Sequence, residues 1–386
     1  MPDPMVHVVA VGDGACTILR PWPERGSGPT AVIDCGVWKA KSTGASDALL
    51  TALGGGMDNV AQVVVSHFDW DHWGGLRNLR QFPGAHQSMP AATLYYPSMP
   101  RPIVVALYAL LGPLKGTGSA VLDLALDMQP LLEPGAALTL EPLHSKSHPI
   151  TLAGDTFDVI WPPENLGSNV RQGLHNVLND VEALADALDA DGYPELRNNL
   201  DLAARATEKA SRNDDSEDRD AGWDLSSADH DGVDEDMPDG DEGGSSFDNP
   251  MDAVGDLGAP GLLSSLPKKW KDEYRRVLIR ARAANNDLSL VIASQSGKLI
   301  AFGDIGGGAL DEALKHVDGR TFHVRLAPHH GTRALPELMP DAEWCVAQSG
   351  KRHISSWTQD HLPTHPGARE CFNTHRSGDF FPATPL

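Results

Sequence analysis

Within "VVVSHFDWDHWGGL", residues 63–76, four side chains able to bind a metal fall inside six positions: His67, Asp69, Asp71 and His72. Imidazole and carboxylate together suit divalent ions such as zinc or manganese. The valine run before them reads as a buried strand, and a loop leaving such a strand is held in place by the sheet behind it. In the spacing H-x-D-x-D-H, alternate side chains can point into one cavity. His67 with Asp69 would then serve one cation, and Asp71 with His72 a second. Gly74 and Gly75 are expected to let the backbone pass close to the site and to open the next helix. The bland alternative is a solvated loop with incidental histidines, and four ligand types in six residues weigh against it.

Two distant segments supply what such a site still lacks. "LIAFGD" delivers Asp304 at a strand end, and "VRLAPHHG" delivers His329 and His330 at another. Asp304 is assigned as a bridge between two cations, with one of the adjacent histidines as the last ligand. A binuclear centre of this kind lowers the pKa of a bridging water and stabilises the oxyanions of a displacement.

The elements that must position these residues alternate along the chain. "HVVAVGDGACTILR" followed by "TAVIDCG" reads as two short strands; "AQVVVS", "LYYPS" (94–98) and "FDVIWP" (157–162) read as further ones. "PIVVALYALLG" and "SAVLDLALDM" suit helix or buried strand, helix being preferred. From Asn165 on, Val170, Leu174, Val177, Leu178, Val181, Leu184 and Leu188 recur at helical spacing. A second helix places Trp270, Tyr274, Val277, Leu278 and Ala281 on one face. "LSLVIAS" and "KLIAFGD" form a hairpin, "ALDEALKH" a short helix, and "TFHVRLAPHHG" and "EWCVAQSG" two more strands. The predicted organisation is one α/β domain in two halves, 1–165 and 284–386, around an insertion at 166–283.

Of the formal net charge of −22 over 386 residues, −15 lies between Glu208 and Asp256. That stretch (208–260 at its widest) has almost no large apolar side chains, and disorder is expected there. The acidic balance is thus mostly local and excludes no nucleic-acid substrate for the rest of the chain. Apolar content of 41% suits a globular protein, and no apolar run is long enough for a membrane span. Cys16, Cys35, Cys345 and Cys371 form no C-x-x-C pair. Free thiols and a cytoplasmic location are the expectation.

Taken together, "SHFDWDHWGG", "NNDLSLV", "AFGDIGGGALDEAL" and "APHHGT" resemble the metallo-β-lactamase fold, and within it the ComEC-type branch of DNA-uptake hydrolase domains. The opening strands and the closing "THPGARECFNTHRSG" resemble the same branch. The resemblance implies an αββα sandwich and carries over His67, Asp69, Asp71, His72, Asp304 and His329 (or His330) as ligands of two divalent ions, zinc or manganese. Asp34 matches the aspartate that supports the metal loop. Asp71, Asp304 and His330 would then be catalytic, the histidine that is not a ligand assisting it or protonating the leaving group. Phosphodiester hydrolysis on DNA or RNA is the implied activity.

Asp69 stands where the metallo-β-lactamase fold usually has its second histidine, a variant that is part of the resemblance to this branch, and as a harder ligand it makes manganese a rival to zinc. Four departures stand against the pattern of the branch. No third-motif histidine is evident, His86, His144 and His148 being the candidates. The membrane channel of the uptake proteins is absent, and the insertion is not a family feature. Trp70 and Trp73 flank the ligands; Trp73 reads as core, and Trp70 as lining the pocket, a surface for a nucleobase. His365 and Thr332 are further pocket candidates.

Two other functions compete. One is hydrolysis of a small ester, lactone or cyclic nucleotide. The other is a weak site in a module whose 166–283 insertion binds a protein partner, the acidic stretch shielding the site until displaced. Deleting 208–256 without effect on activity or partner binding would remove that last idea.

Overall fold

The computed structural model describes residues 4–21, 28–38, 43–82, 89–111, 119–212, 266–333, 335–354 and 367–382. The chain divides into two compact units. The first comprises Met1–Met99, Ser119–Leu166 and Arg282–Leu386; the second, Pro100–Gly118 and Gly167–Ala281.

Unit 1 holds two sheets. One runs in chain order through β1 (Pro4–Val8), β2 (Cys16–Pro21), β3 (Thr30–Cys35), β4 (Val60–Val64), β5 (Ala92–Pro97) and β6 (Leu138–Leu143). Its first two pairings are antiparallel and the rest parallel. The other sheet runs through β7 (Ile150–Leu152), β8 (Asp155–Trp161), β9 (Val291–Ser294), β10 (Leu299–Ala301), β11 (Thr321–Leu326), β12 (Asp341–Ala347) and β13 (Ala368–Asn373). It is antiparallel as far as β10 and parallel beyond.

The segment expected to give two opening strands gives three, because "GDG" at 12–14 turns the chain between β1 and β2. Inward side chains of both sheets, among them Val6, Ile33, Val64, Phe157, Ile292 and Val324, form one apolar core. β3 is buried along its whole length, Thr30 and Asp34 included. Helices α1 (Gly44–Leu53) and α2 (Trp70–Asn78) cover its other face, and α4 (Ala120–Met128) packs on α2. With α8 (Gly307–Leu314), a helix buried along one side, and the short α9 (Thr374–Ser377), these layers make the metallo-β-lactamase-type αββα arrangement.

Unit 2 is helical: α3 (Arg101–Leu111), α5 (Ser168–Ala190), α6 (Glu195–Arg212) and α7 (Lys268–Asp287) as far as Ala281. Of the face its spacing predicts, α5 buries Leu174, Val177, Val181, Leu184 and Leu188 and leaves Val170 and Leu178 half-buried. Trp270 donates to Asp191 at 2.9 Å, closing the helices on one another. Sequence reading placed α3 with the first half of the domain, whereas its packing groups it with these helices. Residues 208–212 complete α6 rather than opening the acidic stretch, whose remainder lies outside the described residues.

The four cysteines are free, and β-sheet register sets Cys16 opposite Cys35 and Cys345 opposite Cys371. Among the described residues no helix is long and apolar enough to cross a membrane.

Candidate metal centre

Five strand ends of unit 1 converge on one place. Asp34 lies at the end of β3, His67 three residues beyond β4, Asp304 three beyond β10, His330 four beyond β11, and Gln348 next after β12. α2 begins at Trp70 with Asp69 as its extended N-cap, so Asp71 and His72 sit in its first turn. Gly36 makes this possible: a Cβ there would stand 2.3 Å from the Asp71 carbonyl carbon and 2.4 Å from the His72 nitrogen. Gly75 lies inside α2, not ahead of it, and an added Cβ would meet Cys35 of β3 at 2.7 Å. The glycines therefore serve close helix-to-strand packing, and the helix starts four residues earlier than the sequence suggested.

Two groups of ligand atoms are formed, His67–His72–Asp304 and Asp71–His72–His330, all buried. His72 donates from Nδ1 to Asp34 Oδ2 at 2.9 Å, since a carboxylate can only accept. Asp34 is itself fixed by the Ser66 amide at 2.7 Å and the Ser66 hydroxyl at 2.8 Å. His330 donates from Nδ1 to the Gln348 carbonyl at 2.9 Å. Both imidazoles thus turn Nε2 inward, and the two Nε2 atoms lie 3.1 Å apart. Two lone pairs at that distance call for a positive charge between them. Around them stand Asp304 Oδ1, 3.1 Å from His72 Nε2, and Asp71 Oδ2, 3.4 Å from His330 Nε2. His67 Nε2 and Asp71 Oδ1 are buried with no hydrogen-bond partner.

Electrostatics repeats the point. Burial alone would depress His72 and His330, yet the carboxylates of Asp304, Asp34 and Asp71 outweigh it and hold both above the usual histidine range, His72 far above. Burial pushes Asp304 and Asp71 up, and the surrounding imidazoles overcome it, leaving both carboxylates below their usual range. Burial and His72 keep His67 neutral. An environment that draws positive charge onto inward-facing nitrogens, and leaves lone pairs unused, fits a divalent cation.

Residues 9–165 match the family model described as the metallo-beta-lactamase superfamily. This stretch is a metallo-β-lactamase superfamily domain. Among solved structures, the chain is similar to the metallo-beta-lactamase fold protein YhfI from Bacillus subtilis, at 14% identity over 41% of this chain and 53% of that one, TM-score 0.24. It is also similar to BJP-1, a subclass B3 metallo-beta-lactamase of Bradyrhizobium japonicum, at 15% identity over 41% and 49%, TM-score 0.24. The chain spans about half the length of each. A comparison with curated proteins finds no match.

The two neighbouring histidines are handled differently. His329 and His330 both have left-handed backbones, φ 48° and 56°, a costly conformation for residues with a Cβ. The His329 amide bonds the Gly303 carbonyl at 2.9 Å, and Thr332 closes the turn onto the His329 carbonyl. The turn aims His330 inward with a 4% exposed side chain and leaves His329 21% exposed, its Nε2 3.9 Å from Asp304 Oδ2. Burial depresses His329 to about 3.

Asp69 lies beside the groups but in neither of them. Its Oδ2 is 3.9 Å from His67 Nε2 and accepts two bonds from Arg282, at 2.9 Å and 2.7 Å. Asn285 donates to Oδ1 at 3.0 Å. Arg282 was not singled out from the sequence; Ser66, Asn285 and Gln348 lie within "SHFDWDHWGG", "NNDLSLV" and "EWCVAQSG" but were given no role there.

His144 accepts from the Lys146 amide in a surface turn and His148 is exposed; neither joins a ligand group. His86 and His365 lie outside the described residues. Trp73 is buried core. Trp70 packs across Gly74, edge-on to Trp73 at 5.4 Å and under the Arg77 guanidinium, also at 5.4 Å.

Proposed function

We propose that the protein is a metal-dependent hydrolase of phosphodiesters, with nucleic acid as substrate. The observation that carries this is the convergence of His72 and His330, Nε2 to Nε2 at 3.1 Å, between the carboxylates of Asp71 and Asp304. His67, Asp71, His72, Asp304 and His330 would hold two divalent cations, zinc or manganese. Bound there, such cations supply Lewis acidity toward a phosphoryl oxygen and an acidified water.

The chain's own groups do the rest. Asp34 and the Gln348 carbonyl hold the two imidazoles in one tautomer. His329, more exposed, stands at the edge of the cluster, where it can hydrogen-bond a leaving oxygen. Arg333 is exposed three residues from His330, and Arg352 precedes His353, whose ring stacks on His330 at 6.0 Å. Cationic groups on this side suit an anionic diester better than a neutral ester.

The test is incubation with linear and circular, single- and double-stranded DNA, beside Asp304→Ala. Metal-dependent cleavage lost in the variant is expected. Two bound cations without cleavage of any of these substrates would contradict the nuclease reading.

A further inference from the structure

In the spacing H-x-D-x-D-H, Asp69 stands where a ligand is expected, yet its carboxylate is already engaged. Arg282 places both Nε and a terminal nitrogen on Oδ2, at 2.9 Å and 2.7 Å, and an oxygen that accepts two hydrogen bonds has no lone pair left to give. Oδ2 is also the oxygen that faces His67 Nε2, 3.9 Å away. Asn285, one turn along the same helix, occupies Oδ1 at 3.0 Å. Arg282 is held in turn by the Trp38 ring, 4.6 Å from its guanidinium carbon. The Asp69 side chain is 4% exposed and that of Arg282 17%, so solvent screens this pair little.

We propose, building on the metal-centre reading above, that Arg282 and Asn285 are positioning residues that keep Asp69 out of coordination. They cancel its charge beside the cation nearest His67. The centre is then a five-residue set, His67, Asp71, His72, Asp304 and His330, with two carboxylates rather than three. Asp69 keeps its place as N-cap of α2 and leaves the neighbouring His67 nitrogen free for the metal. The pair therefore sets how hard the site is: two carboxylates with three imidazoles favour zinc, and a third carboxylate would move the preference toward manganese.

The sign of one effect separates this role from a supporting one. Were Asp69 a ligand steadied by Arg282, removing the arginine would weaken metal binding, as losses behind a ligand do. If instead Arg282 withholds Asp69, removing it leaves a bare carboxylate about 4 Å from His67 Nε2, and the cation binds more tightly.

The experiment is competition with a chromogenic chelator for zinc and for manganese, on the full chain and on Arg282→Met, with melting curves alongside. At least about tenfold tighter binding of one cation, with a larger gain for manganese than for zinc, is expected. Should the methionine variant fail to fold, Arg282→Leu, equally neutral and likewise no donor to Oδ2, carries the same prediction. Unchanged or weaker binding in a folded variant would overturn the inference and leave the metal centre standing. A wild-type chain that takes up no cation would overturn the metal centre itself, and this inference with it.

Discussion

His72 and Asp34, 38 residues apart, meet at 2.9 Å through Nδ1 and Oδ2, and this contact turns the Nε2 of His72 toward Asp304 and His330. The carboxylate fixes both the tautomer and the tilt of a ring that both ligand groups share. Asp34 has a left-handed backbone, φ 54°, which asparagine adopts as readily as aspartate.

Asp34→Asn therefore keeps the fold while replacing a charged acceptor by a neutral one. Metal affinity is expected to fall by about 10- to 100-fold, with an unchanged far-ultraviolet spectrum. Chelator competition measures the first and circular dichroism the second. Wild-type affinity would show that Asp34 does not orient His72.

Gly36 is the second support of the ligand loop. An alanine there would drive its Cβ to 2.3 Å from the Asp71 backbone, which cannot yield without carrying Asp71 and His72 with it. Gly36→Ala is expected to cost about 2–3 kcal/mol of stability and to lower bound metal as well. Urea unfolding and metal analysis of the same sample check both parts. A stable variant with full metal content would refute the close-packing account.

Asp287 gives a pH prediction outside the ligand set. Burial raises its pKa from 3.8 to about 6, with Arg333 opposing. A carboxyl raised on folding stays protonated in the folded state while the unfolded chain gives up its proton. Its contribution is thus complete below about pH 4 and is lost as pH rises through about 6. Asp287→Asn removes the loss, up to about 3 kcal/mol at pH 7–8, and leaves stability near pH 3.5 unchanged. Melting temperatures of both chains across that range decide it. A variant less stable than wild type at pH 8 would show that the ionised group is favoured in the fold.

These residues also mark where the sequence was legible. His67, Asp71, His72, Asp304 and the histidine pair each close a strand-then-loop segment, and residue type and local spacing are enough to find such segments. The choice between His329 and His330 depends on two consecutive left-handed residues, which no spacing reports. Arg282 meets Asp69 across 213 residues, so its part in the site is invisible until the fold brings the two side chains together. Gly74 and Gly75 were read as passing the backbone close to the site and opening the next helix. They lie inside α2, where the room they leave for Trp70 and for Cys35 of β3 outweighs glycine's poor helix propensity. α3 was assigned to the first half because its sequence carries no sign of which neighbours its apolar face meets.

The account rests on the cluster being a binuclear centre built around His72, the residue common to both ligand groups. The most direct measurement is the metal content per chain, by mass spectrometry of dialysed protein, for wild type and His72→Ala. About two zinc or manganese ions per chain in wild type, and fewer than one in the variant, are predicted. A wild-type chain without metal, or a variant that keeps the wild-type content, would contradict it.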